Sequence, residues 1–390
     1  MSSTRARFRA RGSAAVLALA LGVTACAGGP GASNNATEGG GVEAVYDNAA
    51  KIGDVSQLRP MSEFCGTKPV KVALADGTGD NAFRKTARAE FEDEAAKCPN
   101  ITVLPYADGQ NNPQKAISDI KALVAQGVEA LVVFPDAGEA LLPTLREAYK
   151  AGVQVVPWTA NPGGKPGVDY TSFVGHNTVN DGVTWTRWMC EALGEKGGNV
   201  VFLGGTPGNT QSITEMVGIE KELKENSACA NVKLLNEPGK PVDTNWNPAQ
   251  MQKVVAGLLT KYPTIDGVIT DSGDASLGGI RAFLQAGRPL PKWTANDNNG
   301  FACAWKEHAD KNPTFQTVTV SARTWIIRLA LRKAVAAHQG IKNDEPEIIN
   351  IPIFENTLDE TKPPKCDTDL PASAVLSSEL TPEQLKQAYS

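Results

Sequence analysis

The sequence lacks the short motifs that mark the common classes of hydrolase, nucleotide-binding enzyme and metalloprotease. It contains no Gly-x-Ser-x-Gly turn, no Gly-x-x-x-x-Gly-Lys-Ser/Thr loop and no His-Glu-x-x-His helix. Its histidines, His176, His308 and His338, are scattered along the chain, and we expect them to be structural or solvated. The sequence therefore predicts a protein that is not an enzyme, with no cofactor and no metal site.

Positive charge and long apolar runs are also scarce. The formal net charge is −5, and no block of Lys and Arg follows the first eleven residues. Because binding to phosphates needs clustered positive charge, we expect no nucleic-acid partner. The apolar run at 14–21 is shorter than the roughly 20 residues of a transmembrane helix.

The start of the chain has the pattern of an exported lipoprotein. Four arginines within the first eleven residues precede the apolar run, which leads into Val23-Thr24-Ala25-Cys26. This order is typical of a secretory signal peptide, and a cysteine at the cleavage position resembles the lipobox of bacterial lipoproteins. We expect a signal peptide over 1–25, lipidation of Cys26, and a mature protein anchored to the outer face of a bacterial cytoplasmic membrane. The alternative is a plain signal peptide with an incidental cysteine.

Six further cysteines remain, and an even number in an exported chain suggests disulfide bonds. Their wide spacing, without Cys-x-x-Cys pairs, argues against a metal site. Many connectivities are open to six cysteines. We expect neighbours in sequence to pair: Cys65 with Cys98, Cys190 with Cys229, and Cys303 with Cys366.

The rest of the chain repeats a strand–helix pattern twice. After a predicted lipid-anchored linker at 26–65, whose first part is rich in Gly, Ser and Asn, short apolar strands alternate with amphipathic helices. The first set has predicted strands at 70–75, 101–106, 130–134 and 153–157, and helices at 82–97, 113–126 and 139–150. The second has strands at 199–203, 231–235, 267–270, 292–295 and 316–320, and helices at 210–225, 248–261, 275–286 and 324–338, with a short last helix at 382–388. This alternation predicts parallel sheets with helices on both faces.

Two such sets predict two similar lobes. Open parallel sheets bind ligands beyond the carboxyl ends of their strands, so two facing edges would form one cleft. Trp185 and Trp188, three residues apart on a helix, are expected to pack inside a lobe and not to contact a ligand.

Four short stretches after predicted strands carry a resemblance to a known family. They are Asp80-Asn81-Ala82-Phe83-Arg84, Asp243-Thr244-Asn245-Trp246-Asn247, Asp271-Ser272-Gly273-Asp274 and Asn296-Asp297-Asn298. In this order the chain resembles, over roughly 69–354, the sugar-binding branch of the type I periplasmic binding proteins. It departs from that pattern at Trp158-Thr159-Ala160-Asn161, where many relatives carry Asp-Arg or Asp-Ser, and near Gln211, where an arginine is usual.

The resemblance implies an α/β fold of two similar lobes, each a doubly wound parallel sheet with helices on both faces, joined by a three-strand hinge. The crossovers would lie near 174–178, 320–322 and 344–348. The implied boundaries are 66–177 plus 322–345 for the N-terminal lobe, 178–321 plus 346–366 for the C-terminal lobe, and 367–390 for a C-terminal tail.

The resemblance also implies a monomeric solute-binding protein that captures a sugar and delivers it to an ABC permease. Carboxylates and amides suit sugar hydroxyls, and aromatic rings suit the C–H faces. The candidate ligand-binding residues are Asn81, Phe83, Trp158, Asn161, Gln211, Glu215, Trp246, Asp271, Asp274, Asp297 and Ser321. A polyol, a nucleoside or a furanosyl signal molecule as ligand, or presentation of the ligand to a sensory receptor, remain alternatives.

Overall fold

A computed structural model describes residues 51–79 and 81–390. The predicted signal peptide, Cys26 and most of the predicted linker lie outside the described residues, as does Asp80.

The N-terminal lobe is built on a parallel sheet of short, apolar strands. The strand order is Ile101–Val103, Val70–Asp76, Ala130–Phe134 and Gln154–Pro157, with Ala107–Asp108 pairing beside the end of the second of these. The helices of this lobe are Ala82–Ala96, Pro113–Ala125, Leu142–Lys150 and Ile326–Gln339. Separate clusters of buried apolar side chains lie on the two faces of the sheet, so helices cover both.

The C-terminal lobe repeats this plan with a longer sheet. Its strand order is Val242–Asp243, Gly198–Gly204, Gly267–Thr270, Lys292–Asn296, Thr317–Val320 and Ile353–Asn356, and Val232–Leu234 pairs with Gly198–Gly204. The helices are Thr178–Leu193, Thr210–Glu225, Pro248–Lys261, Gly273–Gln285 and Asn299–His308. The sheet is parallel apart from its edge strand, Ile353–Asn356, which runs antiparallel to its neighbour.

A third, small sheet lies where the chain passes between the lobes. Ile348–Asn350 is its central strand and pairs in parallel with Ile52–Asp54 on one side and Gly175–His176 on the other. Two of these strands fall at predicted crossovers, near 174–178 and 344–348. The strand Ile52–Asp54 lies within the stretch predicted as linker. Met61 and Phe64, from the same stretch, are buried, because these apolar side chains pack with the adjoining lobe.

The α/β class, the parallel sheets and the helices on both faces are confirmed. Three helices, Thr210–Glu225, Pro248–Lys261 and Pro382–Ala388, have the predicted bounds. The predicted helix at 139–150 begins instead as a 3-10 turn, Gly138–Leu141, before Leu142–Lys150. The sequence gave no bounds for Thr178–Leu193, on which Trp185 and Trp188 are buried as expected.

Three disulfide bonds join Cys65 to Cys98, Cys190 to Cys229, and Cys303 to Cys366. These are the neighbour pairs that the sequence predicts. The first lies in the N-terminal lobe and the second in the C-terminal lobe, while the third fixes the C-terminal tail to the helix Asn299–His308. Among the described residues, the helices are too short or too polar to cross a membrane.

Candidate ligand-binding cleft

A cleft of about 460 Å³ lies between the lobes at the carboxyl ends of their strands. The residues that line it come from the segments that follow strands of both large sheets. They are Asn81, Ala82, Phe83, Arg84, Phe134, Thr159, Gln211, Trp246, Asp271, Ser272, Gly273, Asp274, Asn296, Asp297, Asn298, Ala322, Arg323, Ser373 and Val375. Its position is the one at which open parallel sheets bind ligands.

The wall from the N-terminal lobe is aromatic. Phe83 lies in the first turn of the helix Ala82–Ala96, and its ring stacks on Trp158 with 5.8 Å between ring centroids and 11° between planes. Phe134 meets both rings edge-on, 6.5 Å from Phe83 and 5.3 Å from Trp158. Trp158 is fully buried, so it supports the two phenylalanines from behind and presents no surface to the cleft.

Arg84 is the positive group on this wall, and its charge is already paired. The guanidinium contacts Asp76 at 3.3 Å and Asp136 at 2.8 Å, and it lies 3.1 Å from the centroid of the Phe134 ring. Burial raises the pKa of Asp76 to about 6, against the opposing effects of Arg84 and of a hydrogen bond from Tyr106. The ion pairs therefore hold Arg84 and, through it, the Phe134 ring in place.

The wall from the C-terminal lobe is polar and centres on Asp271. Trp246 Nε1 donates to both carboxylate oxygens of Asp271, at 2.8 and 2.9 Å, and Gln211 Nε2 donates to Oδ2 at 2.7 Å. The Trp246 ring lies against the backbone of Gly205, where an added Cβ would come within 2.3 Å of ring carbons. Asp271 is buried, and burial raises its pKa, against the opposing charge of Arg323.

A buried group of ionisable side chains lies behind this polar wall. His176, Asp181 and Glu215 place potential ligand atoms within 4.8 Å of one another, and this is the set in the described chain that could hold a cation. Burial raises the pKa of Asp181 to about 7 and raises that of Glu215 well above its usual range. Arg323 opposes both shifts, so a positive charge already acts on these carboxylates without a metal.

Backbone strain concentrates at the cleft. Thr159, Trp246 and Arg323 line it with φ values of 60°, 49° and 62°, and Asn245 beside Trp246 has 56°. Such left-handed conformations cost non-glycine residues of order 1–3 kcal/mol each and tend to occur at functional sites. The strain therefore points to binding as the role of this surface.

Asp297, predicted as a sugar anchor, lines the cleft but has protein partners. Its oxygens accept from the backbone N–H of Ala322 and from both the N–H and the hydroxyl of Ser377. Burial raises its pKa, against these hydrogen bonds. The carboxylate thus serves first to hold the C-terminal tail.

The structure brings seven of the predicted ligand-binding residues to the cleft surface. These are Asn81, Phe83, Gln211, Trp246, Asp271, Asp274 and Asp297. Asn81 also caps its helix by accepting from Arg84 N. Burial raises the pKa of Asp274, a half-buried residue in the first turn of the helix Gly273–Gln285.

Four predicted residues lie away from the cleft surface, each for a local reason. Trp158 is buried behind Phe83, as described above. Asn161 is exposed and accepts from Gly163 N. Glu215 is buried behind Gln211, which donates to it at 3.1 Å. Ser321 is buried and accepts from Trp325 Nε1 at 2.8 Å.

Arg323 is the most important cleft residue that the sequence did not predict. It follows the strand Thr317–Val320, and its Nε and Nη1 are buried without a hydrogen-bond acceptor among the described residues. A buried, unpaired guanidinium N–H is costly, and a hydroxyl or carbonyl on a ligand would satisfy it. The signal in the sequence was an arginine directly after a predicted crossover, which supplies the positive charge missing near Gln211.

The chemistry of the cleft suits a small, neutral molecule with many hydroxyl groups. Asp271 and Gln211 offer acceptors, Arg323 offers donors, and Phe83 and Trp246 offer aromatic surface. Hydrogen bonds to charged groups contribute roughly 1.5–3 kcal/mol, against about 1 for neutral pairs, so the charged residues would dominate orientation.

Comparison with known proteins identifies the family. The profile of the periplasmic binding protein domain matches residues 72–341. The chain is 28% identical over 277 residues to the xylitol-binding protein of Mycolicibacterium smegmatis, covering 70% of this chain and 66% of that protein. It is 25% identical to the ribose import binding protein of Bacillus subtilis, covering 57% and 68%. The chain thus spans just under two thirds of the length of the xylitol-binding protein.

Solved structures share the fold. The Caulobacter myo-inositol binding protein bound to myo-inositol aligns with a TM-score of 0.60 and 24% identity, over 73% of this chain and 93% of that one. A Mycobacterium smegmatis protein in complex with β-D-fucofuranose aligns with a TM-score of 0.58 and 20% identity, over 72% and 88%. With its profile match and its two-lobed α/β fold, the chain belongs to the periplasmic binding protein domain family, as a solute-binding protein and not an enzyme.

Proposed function

We propose that this protein is an extracytoplasmic solute-binding lipoprotein that captures a sugar or polyol between its two lobes and delivers it to an ABC permease. The observation that carries the proposal is the cleft itself, where an aromatic wall faces a wall of carboxylate, amide and guanidinium groups. Relatives named for xylitol and ribose support a neutral, polyhydroxylated ligand.

Export and anchoring rest on two further observations. The lipobox-like Val23-Thr24-Ala25-Cys26 follows a signal-peptide pattern, and disulfide bonds such as the three found here persist in oxidising compartments outside the cytoplasm. Cys26→Ala tests the anchor in cells fed labelled palmitate: the chain loses the label and leaves the membrane fraction. Equal labelling of the variant and the natural chain would contradict it.

The ligand class is tested by thermal unfolding of the purified protein with single probes. Xylitol, myo-inositol and D-ribose represent the proposed class, and uridine and glutamate represent others. A ligand at about 100 times its Kd adds roughly 2.7 kcal/mol of stability, so at least one sugar or polyol should raise the Tm selectively. Stabilisation by glutamate or uridine alone would overturn the proposed class.

A further inference from the structure

The C-terminal segment 366–390, here called the clasp, is fixed first to the C-terminal lobe. The Cys303–Cys366 disulfide joins it covalently to the helix Asn299–His308. The side chain of Asn299 donates to the clasp carbonyls of Asp367, Leu370 and Pro371. The N–H groups of Asn299 and Gly300 bind two more, those of Ala374 and Ala372. This end of the clasp is therefore held strongly.

The middle of the clasp forms part of the ligand cleft. Ser373 and Val375 line it. Ser377 donates its N–H to Asp297 Oδ2 at 2.9 Å and its hydroxyl to Asp297 Oδ1, and the hydroxyl also lies 2.9 Å from Ser321 Oγ. A carboxylate has about four acceptor sites, and with Ala322 N three bonds to Asp297 are made within the protein.

The end of the clasp lies on the N-terminal lobe. Glu379 N donates to Glu90 at 2.8 Å, Gln384 Nε2 donates to Asp93 at 2.7 Å, and the hydroxyls of Tyr389 and Thr86 lie 2.8 Å apart. Leu380 and Leu385 are buried in a small apolar cluster that includes Ala89, a residue of the helix Ala82–Ala96. These contacts are non-covalent, so this attachment is the weaker one.

We propose that the clasp takes the place of ligand hydroxyls at Asp297 and closes that end of the cleft, which restricts the ligand to small polyols or monosaccharides and holds the two lobes together. The restriction on ligand size rests on the function proposed above. The cleft volume of about 460 Å³ lies at the small end of the roughly 300–1,000 Å³ of ligand pockets. Opening of the cleft then requires release of the clasp from the N-terminal lobe.

Hydrogen exchange of the full chain, measured by mass spectrometry without ligand, tests the tether. The double variant Ser377→Ala/Tyr389→Phe removes one hydroxyl contact on each lobe and keeps the buried leucines, so it should fold. We expect about tenfold faster exchange in the clasp and in the cleft peptides around 81–84 and 321–323. Glu383→Gln, exposed on the same short helix, should exchange like the natural chain. Cleft peptides that keep their natural rates in the double variant would overturn the tether.

Ligand selectivity tests the restriction on size. Isothermal titration compares xylitol with the disaccharide lactose, in the natural chain, in the double variant and in a chain that ends at Leu370. We expect the affinity ratio to shift at least about tenfold toward lactose when the clasp is weakened or removed. An unchanged ratio in the double variant would overturn the restriction, even if the shortened chain does not fold. If the natural chain binds neither probe nor any other sugar or polyol, the proposed function fails, while the exchange result still decides the tether.

Discussion

The two walls of the cleft come from corresponding ends of two similar sheets, yet their chemistry differs. The wall of the N-terminal lobe presents Phe83 and Phe134, and its cation, Arg84, is paired with Asp76 and Asp136. The wall of the C-terminal lobe presents Asp271 and Gln211 beside Arg323, whose Nε and Nη1 lack an acceptor in the described structure. One wall therefore offers a pre-formed apolar surface, and the other supplies the hydrogen bonds.

This difference separates two contributions to binding. Aromatic surface gives area with few conformations to lose, but little discrimination among sugars. Charged and amide groups give orientation, because an unmet partner in a buried site is costly. Changes on the polar wall should therefore weaken binding more than changes on the aromatic wall.

The largest effect is expected at Trp246, which contributes to both kinds of contact. Trp246→Ala removes a ring from the cleft and the N–H that Asp271 accepts, so affinity for the ligand found by thermal screening should fall about 100-fold. Trp246→Phe keeps a ring and loses only the N–H donor, so its loss should be intermediate. Equal affinities of both variants and the natural chain in isothermal titration would remove Trp246 from the site.

A smaller loss is expected when the Trp246 ring is displaced and not removed. In Gly205→Ala the new Cβ would lie 2.3 Å from ring carbons, so the ring must move, and affinity should fall by roughly 30-fold. Gly257→Ala is the matched control, because nothing lies within 4 Å of its Cβ position. Titration of both variants measures the effect, and a loss shared by the control would point to a general defect in folding.

The aromatic wall is expected to tolerate a comparable change better. Phe83→Ala removes one ring but uncovers Trp158, which stacks behind it, so aromatic surface remains and affinity should fall only about tenfold. A loss as large as that of Trp246→Ala would show that the two walls contribute equally and would break the comparison.

The smallest effect is expected from the buried charges behind the polar wall. Burial raises the pKa of Asp181 to about 7 from the usual 3.8, so between these values the folded state holds a proton that the unfolded state releases. This contribution to stability is present at low pH and is lost as the pH rises through about 7. Asp181→Asn cannot ionise, so its stability relative to the natural chain should improve by about 1 kcal/mol from pH 5 to pH 8.

Urea unfolding at the two pH values measures this difference. Asp243→Asn, exposed in the same lobe, should show the same offset from the natural chain at both. If Asp181→Asn also kept a constant offset, its carboxyl would not be the buried, protonated group described here.

The two-lobed fold was predictable because its main strands and helices are written in local patterns. Wholly apolar runs such as 130–134 and 267–270 are strands at those same residues. The hinge strands were harder, because Ile52–Asp54 and Gly175–His176 are two or three residues long. Both pair with Ile348–Asn350, far away in sequence, and no local pattern records such a pairing.

The candidate site was predictable by position more than by role. A polar or aromatic residue after a strand identifies the cleft edge, which placed Phe83 and Asp271 correctly at its surface. The same pattern cannot tell an exposed ring from a supporting one, as Trp158 shows. Nor can it reveal that Asp297 binds Ser377, 80 residues later.

The most direct test of the central claim is isothermal titration of Asp271→Asn beside Asp243→Asn, with the sugar or polyol that stabilises the natural chain. If Asp271 receives ligand hydroxyls, its loss of charge should weaken binding about 10- to 100-fold, while Asp243→Asn binds like the natural chain. Undiminished binding by Asp271→Asn would contradict the account of a cleft whose polar wall recognises the ligand.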